Sequence, residues 1–377
     1  ESEFSKLATT RIIPRSNGEF QELKPPNASI FLSGNGPLVA VLKNALGRGS
    51  NQFIQDVRKY VQYHESGDKR VPLHHVIIFD EAQRAWDRDK VERRHKGAVE
   101  GSEPDMFIGM ANRIPEWGAV VGLIGTGQEI HDGEESGLQQ WVDAIENIEG
   151  IDNWDIHAPP GIIEQIQTRN IQSYSEPLLT LNATIRTHFG EMLHHWVDGV
   201  LGHVDTPYQD IVELYKQLKD SGFKIYFTSN LRKAKMYLWN RYEKSPDARY
   251  GMICSSRDKS LGTYGMKTLS WPKTLNYGRW YNEDRNHSDS CCALDLAVTE
   301  FDSQGLELDF TIVGWGNDFI LEKGEWNNDR ARNYAHTSEI KDAFTLRRNA
   351  YRVLLTRARD GMILYLPTND LLEETRQ

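Results

Sequence analysis

Runs of apolar residues that end in polar or acidic side chains recur along the chain and define its organisation. The clearest run, Val76 to Phe79, leads directly into the adjacent carboxylates Asp80 and Glu81. Such a run is typical of a strand that is buried on both faces of a parallel sheet. Open parallel sheets bind ligands beyond the carboxyl ends of their strands. The pattern therefore predicts a strand that presents two acids at the ligand-binding edge of a sheet.

Similar runs predict further strands in the first half of the chain. Ile30 to Leu32 precede a turn-like sequence, Ser33 to Pro37, after which apolar residues recur at helical spacing. Ala119 to Ile124 is predicted to form another buried strand. Residues 1–27 show no strong periodicity, so we expect them to be a poorly packed lead-in and the fold to begin at Ile30.

The second half of the chain repeats this alternation of strand and helix. Strands are predicted at residues 224–228 and 250–254, with a helix between them. An irregular stretch around Pro159 separates the halves, and 377 residues exceed what one hydrophobic core usually supports. We therefore predict an α/β fold with two lobes, residues 1–175 and 176–377.

Composition and charge narrow the class of protein. Hydrophobic residues make up 39% of the chain and charged residues 26%, which is typical of a globular protein, and no apolar run could span a bilayer. Cys254, Cys291 and Cys292 cannot form a disulfide framework or a zinc site, which favours a cytoplasmic location. The net charge of −10 argues against a wholly basic nucleic-acid coat but allows a local basic groove. The chain starts at Glu1 without a signal-peptide pattern, so we expect it to be part of a longer polypeptide.

The two adjacent acids suit nucleotide hydrolysis. A nucleoside triphosphate needs a carboxylate to hold Mg²⁺ and an acidic group to orient the attacking water. Asp80 is the predicted metal ligand, and Glu81 is the predicted water-directing group. The alternative interpretation is that Asp80 caps a helix that starts at Glu81.

The same stretch resembles a known family. The sequence Asp-Glu-Ala-Gln at residues 80–83 resembles motif II, the Walker B box, of superfamily 1 helicases. More closely, Phe79 through Trp86 resembles the Schlafen group-III-like DNA/RNA helicase domain of bacterial proteins. The resemblance implies two RecA-like P-loop NTPase lobes with mostly parallel sheets, and ATP and Mg²⁺ as cofactors.

Two segments of the first lobe resemble further motifs of this family. The turn of Ser33, Gly34 and Asn35 resembles motif Ia, which contacts the nucleic-acid backbone; the alternative is an ordinary turn between a strand and a helix. Residues 125–130 resemble motif III, in which Gln128 would contact both the γ-phosphate and a nucleic-acid-facing loop. The alternative there is a simple Gly-Thr-Gly turn.

Two arginines of the second lobe resemble arginines that act on the nucleotide. Leu178 to Arg186 resembles motif IV, whose arginine reaches the nucleotide, and the alternative for Arg186 is an exposed helix position. Asn349 to Arg359 resembles motif VI, and on a helix Arg357 would end an apolar, inward-facing stripe. The alternative for Arg357 is a buried structural ion pair. The arginines predicted to face solvent on the same helix are Arg348, Arg352 and Arg359.

Leu296 to Asp309 resembles motif V, in which Gly-Leu-Glu follows a strand that carries a threonine. The resemblance implies that Glu307 contacts the nucleotide ribose and that Gln304 and Gly305 belong to the same nucleotide site. It also implies that Thr299 contacts nucleic acid. The alternative is a turn around Gly305 between two strands.

The phosphate loop of this architecture has no counterpart in the sequence. That loop ends in Gly-Lys-Ser or Gly-Lys-Thr, and neither string occurs here. Residues 265–268 place Met266 where the loop needs glycine. In the family the loop precedes motif Ia, so two interpretations stay open. Either the chain omits that segment, or the protein cannot hydrolyse ATP by the usual route.

The motifs follow one another in the family's order, which is more specific than any one of them. The implied function is an ATP-dependent DNA/RNA helicase or single-strand translocase, the motor part of a larger protein, in which Arg186 and Arg357 stabilise the transferred phosphoryl group. Expected partners are single-stranded DNA or RNA and an attached or associated nuclease or effector domain, with no membrane. The resemblance also implies a role in antiviral defence. The alternative function is a non-hydrolysing helicase-like scaffold or switch that binds nucleic acid or a protein partner.

Overall fold

The computed structural model of the protein divides into two compact units, Glu1–Ala183 and Thr184–Gln377. This division falls later in the chain than the boundary predicted after residue 175. The residues that the structure describes are 11–14, 20–23, 29–65, 69–95, 101–124, 138–166, 171–180, 190–202, 206–268, 275–331 and 342–376.

The first unit is built around a parallel sheet. Its strands are β1 (Arg11–Pro14), β2 (Phe20–Leu23), β3 (Ser29–Ser33), β4 (Ile54–Asp56), β5 (Val76–Asp80), β6 (Ala119–Gly122), β7 (Asp155–Ala158) and β8 (Gln172–Ser175). Its helices are α1 (Gly36–Leu46), α2 (Val57–Glu65), α3 (Arg88–His95), α4 (Glu103–Asn112), α5 (Gln139–Glu146) and α6 (Pro160–Ile163). Four strands pair in the order β4-β3-β5-β6, and each pairing is parallel. The predicted α/β class with mostly parallel sheets is confirmed for this unit.

Alternate residues of the central strands form the core of the first unit. Ile30 and Leu32 of β3 are fully buried, as is Ile77 of β5, and Phe79 is 3% exposed. Helices α2 and α4 contribute further buried side chains to the same cluster, including Phe107. The strands predicted at Ile30–Leu32 and Val76–Phe79 are therefore confirmed.

Strand β6 lies at the edge of this sheet and is more exposed to solvent than parallel strands usually are. Among the described residues it pairs with β5 alone. Val121 is 42% exposed, and Ile124 just beyond the strand is 36% exposed. The prediction of a strand here is confirmed, but the prediction that it is buried is wrong. Its edge position leaves apolar residues uncovered that a central strand would bury.

The prediction that structure begins at Ile30 is also wrong. Strands β1 and β2 precede it and pair antiparallel, with Arg11 opposite Leu23 and Pro14 opposite Phe20. Four-residue strands satisfy their backbone hydrogen bonds through pairing, yet they are too short to leave a clear periodic pattern in the sequence.

The second unit carries the larger parallel sheet. Its strands are β9 (Lys224–Thr228), β10 (Tyr250–Cys254), β11 (Ala297–Thr299), β12 (Leu308–Gly314), β13 (Ile320–Glu322), β14 (Glu325–Asn327) and β15 (Ala358–Tyr365). Its helices are α7 (Gly190–Val200), α8 (Tyr208–Ser221), α9 (Leu231–Arg241), α10 (Tyr277–Asn282), α11 (Glu300–Ser303), α12 (Ala343–Leu355) and α13 (Glu373–Arg376). Five strands pair in parallel in the order β11-β10-β12-β15-β9. The strands predicted at residues 224–228 and 250–254 have the predicted bounds.

Within the described ranges, none of the helices combines the length and the apolar character that crossing a bilayer requires.

A buried ionic network lies at the carboxyl ends of the central strands of the second unit. Arg347 of α12 is 2% exposed, and it donates hydrogen bonds to Glu300 of α11 at 3.1 Å and to Asp318, which follows β12, at 3.0 Å. Tyr351 donates to the other oxygen of Asp318 at 2.8 Å. Burial raises the pKa of Asp318, and the Arg347 charge opposes that shift. The network joins α12 to the segments that follow β11 and β12.

Arg347→Met tests how much this network stabilises the second unit. The variant leaves Glu300 and Asp318 buried without their cation. Removing one partner of a buried ion pair typically costs about 3–5 kcal/mol. We expect the free energy of unfolding, measured by urea titration, to fall by about that amount.

Arg330→Ala is the matched control for that substitution. Arg330 contacts Glu322 at 2.6 Å, and both side chains are 40% exposed. An exposed pair is worth about 1 kcal/mol or less. Equal losses of stability in the two variants would contradict the stabilising role of the network.

Gly361→Ala tests the close packing of β15 against β9. A Cβ atom at Gly361 would lie 2.2 Å from the backbone oxygen of Lys224, so the two strands would have to separate. Overpacking of this kind typically costs about 1–3 kcal/mol. Gly262→Ala is the control, because a Cβ atom there meets nothing within 4 Å. Thermal melting of both variants is the measurement, and an unchanged melting temperature for Gly361→Ala would contradict the prediction.

Candidate functional site

Asp80 is the last residue of β5 and lies at the carboxyl edge of the first sheet. In the parallel register it stands beside Ser33, the last residue of β3. The Ser33 hydroxyl donates a hydrogen bond to Asp80 Oδ2 at 3.4 Å. The carboxylate therefore occupies the sheet edge at which open α/β folds bind their ligands.

Glu81 begins the turn that follows this strand, and its backbone is in the left-handed region with φ 56° and ψ 46°. The Gln83 side-chain amide donates a hydrogen bond to Glu81 Oε2 at 2.7 Å. A short 3₁₀ turn covers Ala82–Arg84, and its N-cap residue is Glu81 rather than Asp80. The alternative interpretation, in which Asp80 caps a helix starting at Glu81, does not describe this turn.

The acidic turn could supply a carboxylate ligand to a metal ion that is bound mainly by phosphates and water. Among the described residues, no group of three or more His, Cys, Asp and Glu side chains could hold a metal ion. Mg²⁺ in nucleotide sites is typically bound through one or two carboxylates together with the phosphates and water. Asp80, at the open end of a strand, is the residue that could supply such a ligand.

The side chains of the turn at residues 33–35 make hydrogen bonds within the first unit. Ser33 is fully buried and Asn35 is 7% exposed. The Asn35 side chain accepts a hydrogen bond from the backbone N–H of Leu38 at 3.2 Å and so caps α1. Contact between this turn and nucleic acid stays a prediction. Because the Ser33 and Asn35 side chains are buried, the backbone around Gly34 is the part of the turn best able to make that contact.

Two predicted site residues, Gln128 and Arg186, lie outside the described residues. The strand that leads towards Gln128 is nevertheless tied to the acidic turn. The backbone N–H of Leu123 donates to the Phe79 carbonyl at 2.8 Å, and the N–H of Ala82 donates to the Leu123 carbonyl at 2.8 Å.

The segment that resembles motif V forms a strand, a short helix and a turn. Thr299 ends β11 and caps α11, where its hydroxyl donates to Asp302 at 2.7 Å. Gln304 is 1% exposed, and Gly305 has φ 77°, a left-handed conformation that glycine adopts without strain. The structure therefore contains the turn around Gly305 that the alternative interpretation described, and nucleotide contact by Gln304 and Gly305 stays a prediction.

Glu307, the residue predicted to contact ribose, already forms an ion pair. Arg359 Nε donates to the Glu307 carboxylate at 2.9 Å, and Arg359 Nη1 lies 3.8 Å from Asp309 Oδ1. The hydrogen bond to Glu307 raises the pKa of Arg359. Arg359 lies in β15, so the prediction that it sits on the solvated side of a helix is wrong.

Arg357 lies beyond the end of α12, which stops at Leu355. It is 5% exposed, and its Nε donates to the Val353 carbonyl at 3.1 Å. The prediction that the helix continues through Arg357 is wrong. The Arg357 carbonyl accepts a hydrogen bond from the Leu308 backbone N–H at 3.1 Å. The backbone of Arg357 therefore extends the pairing between β12 and β15.

The other two arginines predicted to face solvent also have partners. Arg352 forms an ion pair with Asp198 at 2.5 Å, and both side chains are 18% exposed. Arg348 donates to the Gly202 carbonyl at 2.9 Å. Helical spacing correctly placed Arg348 and Arg352 away from the apolar stripe. It could not identify their partners, because Asp198 lies on α7 and Gly202 lies just after that helix.

Sequence reasoning missed two residues that shape these sites. Gln83 belongs to the acidic motif, but its contact with Glu81 depends on the conformation of the turn, which the sequence does not show. Arg347 was missed because its partners Glu300 and Asp318 lie 47 and 29 residues away along the chain.

Comparison with known proteins agrees with the resemblance found in the sequence. The family described as Schlafen group 3, DNA/RNA helicase domain, matches residues 12–368. No curated protein matches the chain. Among solved structures, the helicase domain of Hef from Pyrococcus furiosus is similar over 92% of this chain and 88% of its own, with 9% sequence identity and a TM-score of 0.30. Because the family match spans nearly the whole chain, the protein belongs to the Schlafen group 3 DNA/RNA helicase domain family.

Proposed function

We propose that the protein is an ATP-dependent DNA/RNA helicase or single-strand translocase that acts in the cytoplasm as the motor part of a larger polypeptide. The observation that carries this proposal is the pair Asp80 and Glu81 at the carboxyl end of a parallel strand, within a chain that belongs to a helicase-domain family. An attached or associated nuclease or effector domain and a role in antiviral defence are part of the same proposal.

Asp80 and Glu81 would have different roles in ATP hydrolysis. Asp80 would hold Mg²⁺, which when bound neutralises charge on the phosphates of ATP. Glu81 would orient the attacking water and accept its proton. The Gln83 amide, which bonds one oxygen of Glu81 at 2.7 Å, leaves the other oxygen for that water.

The family resemblance also implies nucleotide contacts by residues 304–307 and by two arginines. Glu307 would accept a hydrogen bond from a ribose hydroxyl, with Gln304 and Gly305 forming the turn beside it. Arg357 and Arg186 would stabilise charge on the transferred phosphoryl group, the role that arginine serves in many phosphoryl-transfer enzymes. The buried position of Arg357, two residues beyond the end of α12, supports a fixed rather than a freely moving side chain.

A second candidate function has one observation in its favour. The sequence contains no Gly-Lys-Ser or Gly-Lys-Thr string, and backbone amides and a lysine of that loop normally cradle the phosphates. Without such a loop elsewhere in the polypeptide, the units would act as a non-hydrolysing scaffold or switch that binds nucleic acid or a protein partner. Steady-state hydrolysis by the longest natural form of the polypeptide separates the two candidates.

Glu81→Gln should stop turnover while leaving nucleotide affinity largely unchanged, because it removes the acid but keeps its shape. A positioned acid–base group typically contributes about a hundredfold or more to the rate. ATP hydrolysis and the affinity for a non-hydrolysable analogue are the measurements, in the longest natural form of the polypeptide.

Glu116→Gln is the control for this substitution. Glu116 is an exposed glutamate of the same unit with a similar left-handed backbone, φ 68°, so its variant should turn over at the parental rate. Turnover of Glu81→Gln within about threefold of the parent would remove Glu81 from the mechanism, given the size expected for an acid–base group.

Binding of single strands should weaken with salt in spite of the acidic net charge, because local contacts with phosphates release counterions. For single strands, about three phosphate contacts predict roughly twentyfold weaker binding when salt rises fourfold. Titration of a labelled oligonucleotide at two salt concentrations measures the effect, and an uncharged methylphosphonate oligonucleotide is the control. Binding that is indifferent to salt, or absent at low salt, would favour the partner-binding scaffold.

A further inference from the structure

The backbone of Glu81 is held in a conformation that its residue type disfavours. A left-handed backbone is unfavourable for a residue other than glycine and persists only when its surroundings enforce it. The question is therefore which contacts enforce φ 56° at the residue proposed to direct water.

The backbone of Ala82, the residue after Glu81, is held at both its N–H and its carbonyl. The N–H of Ala82 donates to the Leu123 carbonyl at 2.8 Å. The carbonyl of Ala82 accepts a hydrogen bond from the indole Nε1 of Trp141 at 2.9 Å. One residue earlier in α5, the Gln140 side chain donates to the Ala85 carbonyl at 3.1 Å, at the end of the same turn. Helix α5 thus holds the acidic turn at two carbonyls.

Trp141 is itself held firmly enough to act as an anchor. Its ring packs edge-on against Phe79 and Phe107, with centroid distances of 5.6 Å to each. Phe79 belongs to β5, the strand that delivers Asp80 and Glu81. The tryptophan therefore touches the acidic segment twice, through its ring before the acids and through its N–H after them.

We infer that Trp141 is a positioning residue for Glu81, which fixes the left-handed turn and thereby the direction of the Glu81 carboxylate. This role rests on the proposed function, because it gives Trp141 an effect on hydrolysis through Glu81. Trp141 lies 59 residues from its hydrogen-bond acceptor along the chain, so the packing of α5 and the geometry of the acidic turn become interdependent.

Trp141→Phe tests the inference, because phenylalanine keeps an aromatic ring and removes the N–H donor together with part of the indole, the same atoms that the control variant below loses. Turnover should fall roughly two- to twelvefold, which corresponds to the loss of one neutral hydrogen bond worth about 0.5–1.5 kcal/mol. The KM for ATP should stay within about twofold of the parent, since Asp80 and the nucleotide contacts are untouched. In a Glu81→Gln background the same substitution should produce no further fall in the single-turnover rate.

Trp154→Phe is the matched control. Trp154 packs against the same core and donates its Nε1 hydrogen to Asn112 at 2.9 Å, away from the acidic turn. Its loss should leave turnover unchanged. If Trp141→Phe lowers turnover no more than Trp154→Phe, or lowers it equally with and without Glu81, the positioning role is refuted.

Amide hydrogen exchange at Ala82 gives a readout that does not need hydrolysis. Exchange of this amide should become roughly tenfold faster in Trp141→Phe and stay unchanged in Trp154→Phe, as expected when about 1.4 kcal/mol of local stability is lost. A parent protein without ATP turnover would refute the proposed function, while the exchange result would still decide whether Trp141 fixes the turn. Unchanged exchange in Trp141→Phe would refute the anchoring itself.

Discussion

Parallel strand register is the constraint on which both candidate sites depend. Strands that run in the same direction end at the same edge, so residues distant in sequence arrive there together. In the first unit this brings Ser33 beside Asp80. In the second unit Cys254 lies opposite both Thr299 and Gly314. The segments that follow these strand ends therefore meet, and the buried network of Arg347 forms among them.

The two units stabilise the carboxyl edges of their parallel sheets in different ways. The acidic turn of the first unit is held by neutral hydrogen bonds, from the Trp141 and Gln140 side chains and the Leu123 backbone, which can be broken at modest cost. The second unit uses a fully desolvated cation between two carboxylates, for which loss of one partner is severe. The first arrangement can be distorted more easily than the second, which is a rigid support for α12 and the residues that follow it.

The sequence allowed the strands to be predicted wherever an apolar run was long and bounded by turn residues, as at Val76–Phe79 and at residues 250–254. It also identified Asp80 and Glu81, because their position after a strand is a local property. The anchoring of Glu81 by Trp141 could not be predicted, since nothing in a sequence relates a tryptophan to a carbonyl 59 residues away. The end of α12 was misplaced for a related reason. Helical periodicity continued to Arg357, but the Arg357 carbonyl forms a strand-like hydrogen bond with the Leu308 N–H instead of a helical one.

The hydrogen bond from Leu308 to the Arg357 carbonyl has a consequence for how this domain can vary in length. It fixes the alignment between the turn that ends in Glu307 and the segment that holds Arg357. A single residue inserted within β12 or β15 would turn every later side chain of that strand to the opposite face. Insertions between β12 and β15 that leave both strands intact, by contrast, would not alter this alignment. Length changes between related chains should therefore collect in the connecting segments and spare the few residues around Leu308 and Ala358.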